Sequence, residues 1–205
     1  MNGLPDPLRY NIWMEFLLAL GLGIGLASVA GVRAFVPLAL AVFFTQLGLF
    51  ESPVPALAID IWTLGGGLTV LAVLEIVLDK VSTLERVFNY AMVPVRAASG
   101  ALLFQAALGL EIETGSPLWL AAGAAVAGVV AVLKVTLRPP AKTGSAGVST
   151  RFLSAFEDVV ATLGGVAGFF VPYLPLLLVA FLLFFFYRVR KRRGRKYGGL
   201  RILGD

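Results

Sequence analysis

Ionisable residues stand inside apolar stretches long enough to cross a bilayer, and this pattern constrains the chain more than any other feature. Glu75 with Asp79, and Glu157 with Asp158, interrupt two such stretches, and Arg33 and Lys134 interrupt two more. A charge at the centre of a hydrocarbon layer costs about 2.5–3.5 kcal/mol on insertion scales, so embedded charges pair with one another and mark candidate functional sites. A fold for this chain must therefore span the membrane as helices and bring opposite charges together.

A span needs about 20 mainly apolar residues. The chain offers stretches at 12–31, 34–50, 61–79, 97–111, 117–137, 152–170 and 173–188. The expected fold is an all-α polytopic transmembrane bundle of about seven spans. The alternative has six, with residues 12–50 forming one first helix broken near Gly31, Arg33 and Pro37. Composition agrees, since 59% of the 205 residues are hydrophobic and 14% charged, against about 25% charged in soluble domains. The absence of Cys and His removes disulfides, thiolate chemistry and the commonest zinc ligand and general base. With no Gly-x-Ser-x-Gly elbow, P-loop or zinc motif either, the chain reads as a non-enzyme without cofactor or metal.

Loop charges arbitrate between the two topologies. Glu51 and Asp60 flank a loop lacking Lys and Arg, and so do Glu111 and Glu113 in the next outer loop. The 80–96 and 138–151 segments carry Lys80, Arg86, Arg96, Arg138, Lys142 and Arg151. Under the positive-inside rule, seven spans satisfy every loop, with the N-terminus outside, the C-terminus cytoplasmic and Arg33 at an inner turn. Eight of the 17 basic residues fall between Arg188 and Arg201. The division is thus a 1–187 bundle and a 188–205 basic cytoplasmic tail. That run reads as a membrane anchor touching anionic lipid headgroups rather than nucleic acid. Ser28-Val-Ala30 looks like a cleavage site, but Asp6 and Glu15 precede it, so a retained first helix is expected.

The 81–96 segment mixes apolar and polar residues and reads as an interfacial amphipathic helix. Lys142–Thr150 reads as a loop. Small residues at Gly21/Gly25/Ser28, Ala121/Ala124/Ala125/Gly128 and Gly164/Gly168 read as helix-packing sites. Gly65-Gly-Gly67 reads as a frayed outer end or a gate. Ala27-Ser-Val-Ala-Gly-Val-Arg33 echoes Ala124-Ala-Val-Ala-Gly-Val-Val130 ahead of Lys134, a short sign of an internal repeat with parallel copies.

Glu75 and Asp79 lie one turn apart on one helix face. The expected pairs are Arg33 with Glu75 or Asp79, and Lys134 with Glu157 or Asp158, all in the cytoplasmic half. These six residues are the candidate polar core. The competing reading is that charges near a membrane border snorkel to water and only anchor helices.

At Gly31-Val-Arg-Ala-Phe-Val-Pro-Leu38, Leu74-Glu-Ile-Val-Leu-Asp-Lys80, Pro94-Val-Arg-Ala-Ala-Ser-Gly100 and Phe156-Glu-Asp-Val159, the chain resembles a bacterial integral-membrane family, domain of unknown function 4126. The similarity covers most of residues 16–187. In that family a His often precedes the counterpart of Arg96, where this chain has Val95. The resemblance implies a multi-span protein of the bacterial inner membrane and supplies no activity. A looser similarity is to cation exchangers with Glu-x-Gly-Asp-Lys-Thr. Here Glu75 and Asp79 are one residue further apart and the Gly is missing, so no cation site carries over. The functional expectation is a small transporter or channel-like protein for an ion or small solute. The alternative is a non-transporting scaffold or lipid-interacting protein, and the sequence leaves homo-oligomerisation open.

Overall fold

The structure, a computed structural model, describes residues 6–49, 60–80, 85–109, 117–138 and 150–198. Seven helices follow one another: α1 (Asp6–Val32), α2 (Phe35–Gln46), α3 (Ile61–Asp79), α4 (Glu85–Ala107), α5 (Pro117–Leu137), α6 (Thr150–Gly168) and α7 (Leu174–Gly198). Stretches Trp13–Val32, Ile61–Asp79, Val87–Ala107 and Pro117–Leu137 are long and apolar enough to cross a membrane, and Phe35–Gln46 is a shorter apolar helix. The chain is an all-α multi-pass membrane protein.

Local chemistry sets the helix ends. The Asp60 carboxylate accepts from Trp62 N at 3.1 Å and Thr63 N at 3.2 Å, capping the free amides that begin α3. Gly48 and Gly109 close α2 and α4 in the left-handed region at φ 70° and 64°, a conformation in which a Cβ is penalised.

Packing partners give the helix directions. Along α6, Gly164 meets Val29 of α1 and Gly168 meets Leu26 and Leu22. On the same helix, Gly165 meets Pro37 and Leu40 of α2, and Phe169 stacks near Phe44. Residue numbers fall along α1 and rise along α2, so α1 is antiparallel to α6 and α2 parallel to it. The chain reverses at Arg33-Ala34, as the seven-span topology requires and a single broken span would not. Helix α3 returns beside α2, with Gln46 donating to the Ile61 carbonyl and Glu75 reaching Ala34 and Phe35. Helix α4 runs against α5, placing Phe104 on Trp119 and Gly100 on Ala127. Helix α7 runs against α6 through Phe156 with Phe181 and Phe185. Odd helices end, and even helices begin, at the same side of the bundle.

Close backbone approaches hold the layers. Gly31 sits on the Ala127 carbonyl and Val130, and Gly100 and Gly123 face each other's carbonyls with no room for a Cβ. Such contacts supply van der Waals packing where lipid removes the hydrophobic drive between helices. Gly21, Gly25, Gly164 and Gly168 play this part against Tyr173, Pro172, Pro175 and Val29. On α5 the contact face is Gly123 and Ala127, while Ala121 and Ala125 are exposed. Ala124 and Gly128 are half-buried, with Gly128 facing Ala97, so only part of the expected small-residue set packs. The echoing segments at 27–33 and 124–130 lie side by side and parallel, since Gly31 meets Val130 and Phe16 meets Trp119.

Exposed Trp13, Trp62 and Tyr173 mark one border of the bundle, and exposed Tyr90 and Tyr187 the other, as aromatic belts do. From Trp62 to Lys80 is about 27 Å of helix, close to the ~30 Å hydrocarbon thickness. Other expectations change. Residues 85–96 are not a separate interfacial helix, because α4 runs unbroken from Glu85 through Pro94 to Ala107. Its polar residues Asn89 and Arg96 are buried in the bundle and not laid on headgroups, because acidic partners on α3 lie there. Gly65–Gly67 lie within continuous α3, and α7 continues past Tyr187 into the basic run. Residues 1–5, 50–59, 81–84, 110–116, 139–149 and 199–205, with the expectations that fall on them, lie outside the described residues.

Candidate functional site: a buried charged junction

The reversal between α1 and α2 breaks the backbone hydrogen-bond ladder inside protein, where no bulk water can satisfy the freed groups. Side chains from other helices do so. Lys134 Nζ of α5 donates to the Val32 carbonyl at 2.8 Å, the negative end of α1. The Glu75 carboxylate of α3 accepts from Ala34 N and Phe35 N, both at 3.2 Å, the positive end of α2. Each charge opposes the helix-terminal partial charge it touches. Ser99 Oγ of α4 adds a 2.7 Å donation to the Ala34 carbonyl.

One turn along α3, Asp79 is the hub. Its Oδ2 accepts from Arg33 Nη2 at 2.8 Å and Ser154 Oγ at 2.8 Å. Its Oδ1 accepts from Asn89 Nδ2 at 2.6 Å and Arg138 Nη1 at 2.9 Å. Arg138 Nη1 also donates to Oδ2 at 3.0 Å, so the two oxygens are engaged by groups from the α1–α2 turn, α4, α6 and the end of α5. Glu157 of α6 lies 2.8 Å from Lys134 Nζ, 3.2 Å from Arg138 and 3.6 Å from Arg33. Asp158 reaches Arg33 at 2.7 Å and Lys80 at 3.2 Å. Arg96 of α4 donates to Glu75 at 3.3 Å and to Asn89 Oδ1 at 3.1 Å.

Four buried cations, Arg33, Arg96, Lys134 and Arg138, therefore meet four carboxylates, Glu75, Asp79, Glu157 and Asp158, and the more exposed Lys80 adds a fifth positive charge at Asp158. Arg33, Arg96, Lys134 and Glu157 are 0% exposed and Glu75 and Asp79 only 1%. Snorkelling describes Lys80, whose side chain is 44% exposed, but none of these six. Arg96 Nε and Nη1 and Arg33 Nε are buried with no hydrogen-bond acceptor among the described residues.

All six sequence-derived core residues meet here. Of the alternatives, Arg33 takes the Asp79 side chain and touches Glu75 only through its backbone carbonyl at 3.5 Å. Lys134 takes Glu157. Arg96, Arg138, Asn89, Ser99 and Ser154 also belong to the core, beyond the six residues expected from the sequence. Helical spacing was the available signal: Arg138 is four residues from Lys134, Ser154 three from Glu157, and Asn89 seven from Arg96, each on its partner's face. Among the described residues, no group of three or more His, Cys, Asp or Glu is placed to hold a metal ion. Two cavities, of ≈ 350 and ≈ 380 Å³, lie elsewhere, along α7 around Phe184, Arg188 and Arg192.

Among known families, one described as "Domain of unknown function (DUF4126)" matches residues 20–192. No curated protein and no solved structure matches the chain.

Proposed function

We infer that this chain, which belongs to the DUF4126 family, is a small inner-membrane transporter or channel-like protein for an ion or small solute, closed in this conformation by its charged junction. The observation that carries the reading is the convergence of four buried cations and four carboxylates on a helix reversal. Packing alone gives little reason for it. Buried ion pairs are often no more stabilising than apolar side chains of similar volume, and glycine and alanine contacts already join α1, α4, α5 and α6. Ionisable residues inside a membrane protein commonly mark a substrate or ion pathway. The basic tail and the positive-inside rule put the junction in the cytoplasmic half, with the C-terminus inside.

A second reading has its own support. Arg33 and Glu75 are sealed from solvent, which suits a scaffold or lipid-interacting protein whose charges only join helices. Flux across proteoliposomes separates the two. The wild type is expected to carry an ion or small solute above protein-free vesicles, and Glu75→Gln to change that flux about tenfold, equivalent to ~1.4 kcal/mol. A wild type silent across a panel of ions and small solutes supports the scaffold. Wild-type flux left unchanged by Glu75→Gln removes Glu75 from the mechanism.

A further inference from the structure

The Glu75 carboxylate has the surroundings of a bound ligand. It receives two backbone amides at the N-terminus of a 12-residue helix and one guanidinium from α4, two separate parts of the chain. Helix N-termini with converging N–H groups are anion sites, and in transporters half-helix N-termini hold anionic substrate groups. The second, independent sign is Arg96. It is fully buried and aims Nη2 at the same oxygen that Ala34 N reaches, yet its Nε and Nη1 have no acceptor among the described residues. Arg96 thus carries buried donors that the resident carboxylate does not use.

The helix that supplies the carboxylate is loosely held. Helix α3 packs mainly on α2 and touches α4 and α6 lightly. Ala72, Glu75 and Asp79 are its buried residues, and Val70, Val73, Leu74 and Val77 face outward. Withdrawing α3 would remove Glu75 and Asp79 and leave Arg33, Arg96, Lys134 and Arg138 facing Glu157 and Asp158. The site would then carry two excess positive formal charges.

We propose that the N-terminus of α2 and Arg96 form a binding site for a small carboxylate-like oxyanion, occupied in this conformation by Glu75 as an internal ligand. This rests on the transport reading for its use: the solute is an anion, and α3 is the element that yields the site to it. Selectivity follows from the donors. Two amides and a guanidinium fit a planar two-oxygen anion better than a halide, and a cation would meet only donors.

The test uses the full chain in detergent. Glu75→Ala removes the internal ligand, and melting is compared in sodium formate and sodium chloride at matched pH and ionic strength. Formate is expected to raise the Tm of Glu75→Ala saturably, by about 5 °C or more at ~100-fold excess over its dissociation constant. Wild type and Glu75→Gln, whose side chains still fill the site, are expected not to respond, nor is Glu75→Ala combined with Arg96→Met. A formate effect equal in all four proteins, or absent from Glu75→Ala, overturns the proposal. If Glu75→Ala does not fold in chloride, the folded yield in formate becomes the readout, and no yield in either salt also overturns it. Reversal potentials in wild-type proteoliposomes provide the independent arm. A potential following a formate gradient supports an anion site, and one following the cation gradient refutes it. Formate rescue with no wild-type flux would instead leave the binding site standing and end the transport reading.

Discussion

Replacing Asp79 by Asn changes one atom's chemistry at the most connected point of the molecule. The carboxylate accepts from Arg33 and Ser154 on one oxygen and from Asn89 and Arg138 on the other. A carboxamide of the same size must turn its NH2 towards one of these two donor pairs, whichever way it flips. A guanidinium, which can only donate, then faces a donor, and Arg33 and Arg138 lose a counter-charge in a site with almost no solvent contact. Breaking a buried charge pair from one side costs about 3–5 kcal/mol, chiefly because the remaining charge stays buried and uncompensated. At roughly 2–4 °C per kcal/mol for a chain of this size, the expected fall in Tm is about 6–20 °C. The assay is thermal unfolding in a mild detergent, followed by intrinsic Trp fluorescence and confirmed by size-exclusion profile. Serine at 154 provides an internal scale: Ser154→Ala removes one neutral donor and is expected to cost only about 1 kcal/mol. Asp79→Asn melting within about 2 °C of wild type, or no lower than Ser154→Ala, would refute the account. Such a result would mean that water screens the hub and that the junction is wetter than its burial implies.

The remaining expectations use different parts of the fold. Lys134→Met and Glu157→Met should each destabilise strongly while the double variant recovers about 1 kcal/mol or more, measured as a double-mutant cycle; strict additivity would deny the 2.8 Å pair. Gly31→Ala should cost about 1–3 kcal/mol, because its Cβ would lie 2.6 Å from the Ala127 carbonyl. Gly66→Ala and Gly67→Ala, where a Cβ meets open space, should instead stabilise α3 by about 0.5–1 kcal/mol, and a loss of stability there would indicate that the glycines serve as a gate. The native chain has no Cys, so single cysteines at Trp62 and Lys80 can be labelled in intact cells with an impermeant maleimide; Trp62→Cys should react from outside and Lys80→Cys should not.

The span at 34–50 shows what hydropathy can and cannot decide. Its apolar run joined the preceding one without a clear gap, and only the charge pattern of later loops argued for a turn at Arg33. The turn is real, and the helix that follows it, α2, is short, Phe35–Gln46. Opposite loop charges also located the junction and two of its pairs, since costly charges in lipid must find each other. Arg96 and Arg138 escaped for the opposite reason. They sit in segments that look amphipathic or loop-like on their own, and amphipathicity cannot tell a face turned to headgroups from one turned to a buried acid. Asn89 and Arg96 became core residues only because α3 presents Glu75 and Asp79 there. That is a property of helix adjacency, which a single sequence does not encode locally.

The position of α3 ties these points together. A helix exposed to lipid along Val70, Val73, Leu74 and Val77 carries two acids that would each cost about 2.5–3.5 kcal/mol unpaired at the membrane centre. Those acids become tolerable only when Arg33, Arg96 and Arg138 are already in place. Packing is thin elsewhere on α3, so its association with the bundle depends on the same contacts that compensate its charges. Any event that supplies another partner for the cations, or another neutralisation of the acids, weakens both at once. A gate needs that coupling, whereas a scaffold could have placed the same two acids on a helix held by many apolar contacts.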